Sequence, residues 1–322
     1  MFLQNGIKAM PHMDISLIGY IITTLSFIGV TVYALDRKRD LYITTQNSPI
    51  FFYVVIVISL LFALLNLFHL IELFYGDQKS FFLPPDIDNI AQFSGILVQS
   101  VLILMLFASK MVIRPTKRIG RVLAVGAHPD DIEIAAGAAL AKMRDAGYFI
   151  SGIVMTRGEK GGDSDTRPIE AARSAEFLGL DNVQVLDFSD AYLSKDVVKI
   201  IRAIEEIITK VQPDIIFTHS IHDIHQDHQT VYEATLRAAR HSRTTILCYE
   251  SPSATQDFHP TYFIDVNKYV DVKIESIRQH WGQRKKPYMK PEVIRGRLAF
   301  RGAQAKCDFA EGFEVARMVS AI

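Results

Sequence analysis

Residues 122–137 read VLAVGAHPDDIEIAAG: an apolar, β-branched run that stops abruptly at His128, Pro129, Asp130 and Asp131, followed at once by a helix-like pattern. A run of this kind is a buried parallel strand, and its C-terminal end is where open α/β sheets build their sites. A His and an Asp three residues apart on one tight turn can grip a single cation, while the Asp between them stays free for proton transfer. The plainer alternative is a turn with an acidic helix start, because Pro and Asp favour both. That alternative weakens at a second cluster, HSIHDIHQDH from His219 to His228, which also follows an apolar run, Asp214 to Thr218. Two such clusters meeting at one sheet edge supply the three protein ligands and open position that a catalytic zinc needs.

Outward from this stretch the pattern alternates. Strands are expected at 122–127, 149–156, 183–188, 214–218, 245–250 and 262–266, and helices at 133–147, 167–179, 195–210, 229–241 and 268–283. Alternation of this kind makes a three-layer, Rossmann-like α/β domain with a mainly parallel sheet, assigned to 122–322. A basic linker at 115–121 precedes it and keeps it close to whatever lies upstream.

Upstream, residues 1–114 read as an all-α transmembrane region of three helices, about 15–35, 49–73 and 90–112. Each is a long run without internal charge, and about twenty such residues span a bilayer core. A cleaved signal peptide fits the first run poorly, because the run is too long and its leader carries little positive charge. Arg37, Lys38 and Arg39 follow the first run and Lys110, Arg114, Lys117, Arg118 and Arg121 the third, whereas only Lys79 lies between the second and third. The positive-inside rule then puts the N-terminus outside and the α/β domain in the cytoplasm. Asn66, His69 and Glu72 share a face of the second helix, either as a functional trio or as a pair at the interface. Gln92, Ser94, Gln99 and Ser100 in the third suit hydrogen bonds between helices.

Composition excludes little but does so firmly. The 35 Lys and Arg balance the 35 Asp and Glu, so no broad basic field exists to hold nucleic acid. Two cysteines, Cys248 and Cys307, allow no disulfide framework and no CxxC zinc knuckle.

AHPDDIE (127–133), TRGEKGG (156–162), RPIEAARSAEFLGL (167–180) and HQDH (225–228), in that order, resemble the zinc-dependent de-N-acetylases of the PIG-L (LmbE-like) family. The resemblance runs from about Arg121 to the C-terminus and does not cover the three apolar runs. It implies that His128, Asp131 and His228 bind Zn2+ or another divalent metal, that Asp130 is the general base for a metal-activated water, and that His225 supports the oxyanion. It also implies that Arg167 lies at the substrate site, where its fork suits a sugar hydroxyl or phosphate; pairing with Glu170 is the alternative. Asp227 can fix an imidazole tautomer. By spacing alone His219, His222, His225 and His228 are all eligible ligands; His219 reads as a structural group and His222 as a solvated loop residue. The Gly-rich loop with Glu159 and Lys160 could close over substrate, and Tyr262, His280 and Trp281 could stack on a sugar. The activity expected is removal of the acetyl group from an N-acetylated amino sugar, lipid-linked N-acetylglucosamine if the chain is anchored in a bilayer. A non-catalytic glycan-binding scaffold and an amidase for a soluble or larger N-acyl substrate stay open, as does a homo-oligomer.

Overall fold

The structure, a computed structural model, describes residues 15–44, 48–75, 85–108 and 118–319, in two compact units, 1–111 and 112–322. In the first unit lie α1 (Ile15–Asp36), α2 (Lys38–Thr44), α3 (Ser48–Tyr75) and α4 (Pro85–Ala108). Apolar side chains line both its interior, Phe27, Val55 and Leu102 among them, and its outer surface. Leu25, Val57, Leu64, Leu97 and Phe107 point outward, each at least 60% exposed. A few polar side chains turn inward as well: Asn66 Nδ2 donates to Thr23 Oγ1 at 3.2 Å, Gln99 donates to Ser26, and Tyr20 stacks on His69. Hydrogen bonds of this type hold helices together where apolar burial gains nothing.

Among the described residues two helical stretches are long and apolar enough to cross a membrane, Leu17–Asp36 and Pro49–Ile71. The expectation of three is corrected here. The third helix begins at Pro85 and carries Asp86 and Asp88 in its opening turns, which leaves Phe93–Phe107 as a shorter apolar stretch. Residues 109–117, where that span and the linker were expected to continue, lie outside the described residues, as do the side chains of Glu72 and Gln92.

The second unit runs β1 (Gly120–Gly126), α5 (Asp131–Ala146), β2 (Tyr148–Thr156), α6 (Thr166–Leu178), β3 (Asn182–Phe188), α7 (Val197–Val211), β4 (Ile215–Thr218), α8 (Gln226–Ala238), β5 (Thr245–Tyr249), β6 (Tyr262–Asp265), α9 (Val270–Arg278), α10 (Pro291–Ala305) and β7 (Ala310–Arg317). The sheet order is β3-β2-β1-β4-β5-β7-β6. The first five strands are parallel, while β7 enters antiparallel between β5 and β6. Helix α10 and strand β7 were not anticipated, because Gly296 and Gly302 dilute the helical pattern and Glu311 and Glu314 interrupt the strand's apolar run. Each face of the sheet buries its own core: Leu123, Val125, Ile200, Ile204 and Ile216 on one side, Val122, Ala136, Leu140, Phe217 and Phe313 on the other.

This order positions the site. After β1 the chain moves to β2 and β3 on one side, then returns to place β4 on the other, with Ala124 opposite Phe217. A crevice opens at such a reversal, outside the carboxyl ends of the two strands. Both His/Asp clusters follow those two ends.

Candidate metal centre

The turn after β1 is held by Asp131. Its Oδ2 accepts the backbone N–H groups of Ala127 and His128 at 3.0 and 2.7 Å, fixing the carboxylate at the start of α5. From β2, Thr156 donates both its N–H and its hydroxyl to the Ala127 carbonyl. From β5, the Tyr249 hydroxyl donates to the Val125 carbonyl at 2.6 Å. The strand end is therefore clamped from both sides.

Against it comes the first turn of α8. This helix starts at Gln226, three residues earlier than its apolar pattern indicates, because His225 caps it by accepting the Asp227 N–H on Nδ1 at 3.3 Å. The earlier start puts His228 in the first turn. His128 Nδ1 lies 3.3 Å from Asp131 Oδ2, His228 Nε2 lies 3.4 Å from Asp131 Oδ1, and the two ring nitrogens are 3.2 Å apart. Two imidazoles and a carboxylate thus close a triangle of lone-pair donors.

The far side of each ring is committed elsewhere. His128 Nε2 faces Asp190 at 3.1 Å and Asp227 at 3.3 Å, and Asp227 is itself held by the N–H groups of Ala191 and Leu193. His228 Nδ1 faces Asp223 Oδ2 at 2.8 Å, and Asp223 is gripped by Ser251, by Ser253 and by the His225 N–H. Each ring therefore spends one nitrogen on a carboxylate and aims the other at the triangle, the arrangement metal-ligating histidines adopt. Charge points the same way. Burial opposes a protonated His228, yet Asp131 and Asp223 hold its pKa at about 9. Burial would raise Asp131, but His228, His219 and His128 keep it well below the usual carboxylate range. A site that draws in positive charge this strongly, with three lone pairs converging, fits a divalent cation.

Asp130 sits beside the triangle without joining it. Burial raises its pKa, Arg167 offsets part of that rise, and Arg167 Nη2 reaches its Oδ1 at 3.2 Å. Arg167 is only 3% exposed; Nη1 donates to the Gly158 carbonyl at 2.6 Å, and its ion pair is with Asp130 and not with Glu170. The Gly-rich loop wraps this guanidinium: at Gly158, whose φ is +73°, and at Gly161, a Cβ would strike it. His225 is neutral, its pKa lowered by burial and by His228 and His128. Because its Nδ1 accepts a hydrogen bond, the ring proton resides on Nε2, a donor.

His219 is fully buried and stacks on His228 at 3.9 Å. Its Nε2 accepts the Ala127 N–H, and burial lowers its pKa to about 4. His222 is tied to Glu314 at the surface. Tyr262 lies on β6, an edge strand that the structure does not bring into the centre. Sequence reasoning missed Asp190 and Asp223. Asp223 lies inside the second cluster, five residues before His228, and was readable as a second carboxylate there; Asp190 follows β3 with no distinguishing signal.

The family model for GlcNAc-PI de-N-acetylases, PIG-L, matches residues 123–239, which contain every group in the triangle. The uncharacterized deacetylase YaiS of Escherichia coli is 38% identical over 171 residues, covering 51% of this chain and 91% of YaiS. The chain belongs to the PIG-L family. The diacetylchitobiose deacetylase of Thermococcus kodakarensis is 27% identical over 195 residues, 52% of this chain and 72% of that protein. The N,N'-diacetylchitobiose deacetylase structure from Pyrococcus horikoshii shares the fold, with a TM-score of 0.55 and 21% identity over 62% of this chain and 84% of that one. Each of these likenesses covers only part of the chain.

Proposed function

We propose that this PIG-L protein is a membrane-anchored, metal-dependent deacetylase that releases acetate from an N-acetylated amino sugar. The observation that carries the reading is the donor triangle of His128 Nδ1, Asp131 and His228 Nε2 beside an acid outside it, Asp130, which Arg167 holds in place. One divalent cation, zinc by the family's chemistry, would be held by those three residues and would polarise the amide carbonyl and make water a nucleophile near neutral pH.

The remaining steps belong to the protein's own groups. Asp130, with its pKa raised towards the range a base needs, takes a proton from the attacking water and returns it to the departing amine. Arg167 fixes the carboxylate for this task, acting on the substrate through Asp130. His225 offers Nε2–H to the carbonyl oxygen as negative charge builds there. Asp227 and Asp190 orient His128, and Asp223 orients His228. The two long helices with apolar outer faces support anchoring, and anchoring favours a lipid-linked N-acetylglucosamine.

The full chain, stripped of metal and reloaded, is assayed for acetate release from N-acetylglucosaminyl lipids and from soluble diacetylchitobiose. The reading predicts metal-dependent release, and Asp130→Asn should keep the metal while losing about 10²–10⁴-fold in turnover. No release from any substrate at full metal occupancy would replace it with a glycan-binding role.

A further inference from the structure

The loop after α9, residues 281–290, reads WGQRKKPYMK, with four cations and no acid. Its inner residues, with His280 just before it, build a wall of the site. His280 lies 3.5 Å from Glu133, the Gly282 N–H donates to Glu170 at 2.9 Å, and Gln283 donates to the Gly161 carbonyl at 3.1 Å. Its outer residues face solvent. Trp281 is 68% exposed and carries the Arg284 guanidinium 3.4 Å above its ring, while Lys285 and Lys290 are also exposed. Among the described residues none of Arg284, Lys285, Lys286 or Lys290 forms an ion pair.

A second patch of the same character borders the metal centre. Tyr192, next to the Ala191 N–H that holds Asp227, is exposed under Lys195, whose Nζ lies 4.4 Å from its ring. Ile224, beside His225, is 73% exposed. The site is thus bordered by large apolar side chains that no core covers, interleaved with unpaired cations. Indole and phenol rings settle at the depth of lipid headgroups, and lysine and arginine pair with the phosphates around them. Cations interleaved with exposed aromatic and aliphatic side chains suit a surface of lipid phosphates better than a single soluble anion, which has no use for the apolar groups.

We propose that this rim, centred on Trp281 and the cations at 284–290, docks the catalytic unit on an anionic phospholipid surface. It thereby selects substrates presented at that surface. The proposal rests on the membrane-anchored deacetylase reading for the identity of the pocket that the rim surrounds.

Trp281 is the only tryptophan in the chain, so its fluorescence reports on this loop alone. The full chain is reconstituted in nanodiscs of phosphatidylcholine alone or mixed with phosphatidylglycerol, with or without brominated acyl chains. Expected are a blue-shifted emission and about twofold or greater bromine quenching in the anionic discs, weakened by salt. The variant Lys285→Glu/Lys286→Glu/Lys290→Glu, which leaves Arg284 over the ring, should lose the quenching while deacetylating soluble diacetylchitobiose at the wild-type rate. Emission typical of water with no quenching in either disc would overturn the proposal. So would quenching that ignores both the lipid charge and the substitutions. If wild-type protein at full metal occupancy releases no acetate from either the soluble or the lipid-linked substrates, the deacetylase reading fails on its own, independently of where Trp281 resides.

Discussion

Replacing Asp223 with asparagine tests whether the ligand rings are set from behind. Its Oδ1 accepts the His225 N–H at 2.9 Å and its Oδ2 faces His228 Nδ1 at 2.8 Å. The His225 amide is a fixed donor, so in Asp223→Asn the amide oxygen must stay on that side and the new NH2 group must face His228. Two donors cannot share a hydrogen bond, so Nδ1 becomes the acceptor and the ring proton moves to Nε2, the atom aimed at Asp131. The lone pair that would hold a metal is then capped. Loss of such a supporting hydrogen bond typically weakens metal affinity by about 10–100-fold, or roughly 1.4–2.8 kcal/mol. Chelator competition on the purified full chain measures this directly. Asp223→Asn should fall at the strong end of that range, with much of the turnover recovered at saturating metal. Unchanged affinity in a folded variant would refute the claim that Asp223 sets the His228 tautomer.

Four further outcomes follow from the same geometry. His225→Ala should keep metal affinity while lowering kcat about 10²–10³-fold, because it removes a donor to the developing oxyanion; metal titration and steady-state kinetics separate the two effects. Burial opposes a charge on either ring, yet the surrounding carboxylates raise both His128, well above its ordinary value, and His228, to about 9, when metal-free. Metal binding at pH 7 should therefore release protons, read by calorimetry in buffers of different ionisation enthalpy. The sign for stability follows: a pKa raised from 6.5 to about 9 stabilises the metal-free fold fully below pH 6.5 and is lost as pH rises through 9, so its Tm should fall across that window. Finally, Gly158→Ala should destabilise the second unit by more than about 1 kcal/mol, since φ is positive there and the new Cβ meets Arg167; thermal unfolding checks it.

The ligand-bearing turn was legible because its signals are local. A β-branched run ending in HPDD, and another ending in a His-rich loop, each mark the carboxyl end of a parallel strand. Their convergence depends on β1 and β4 being neighbours, which no local pattern states and which the strand order supplies. The environment of Arg167 was not legible: its fork suits a sugar phosphate, but the Gly-rich loop closes over the guanidinium and directs it at Asp130. Asp190 was hidden for a similar reason, since a lone acid after an edge strand looks solvated until His128 turns towards it. The antiparallel β7 escaped because its acidic residues are satisfied by tertiary partners, Glu311 by Lys273 and the Ala138 and Ala139 N–H groups, and Glu314 by Ser220 and His222.

Anomalous diffraction at the zinc edge from the zinc-loaded full chain tests the central claim most directly. The account predicts one ion per chain, bonded to His128 Nδ1, an Asp131 oxygen and His228 Nε2, with Asp130 outside its coordination. An ion seated instead between Asp190 and Asp227 on the far side of His128, or an ion with Asp130 as a ligand, would contradict it.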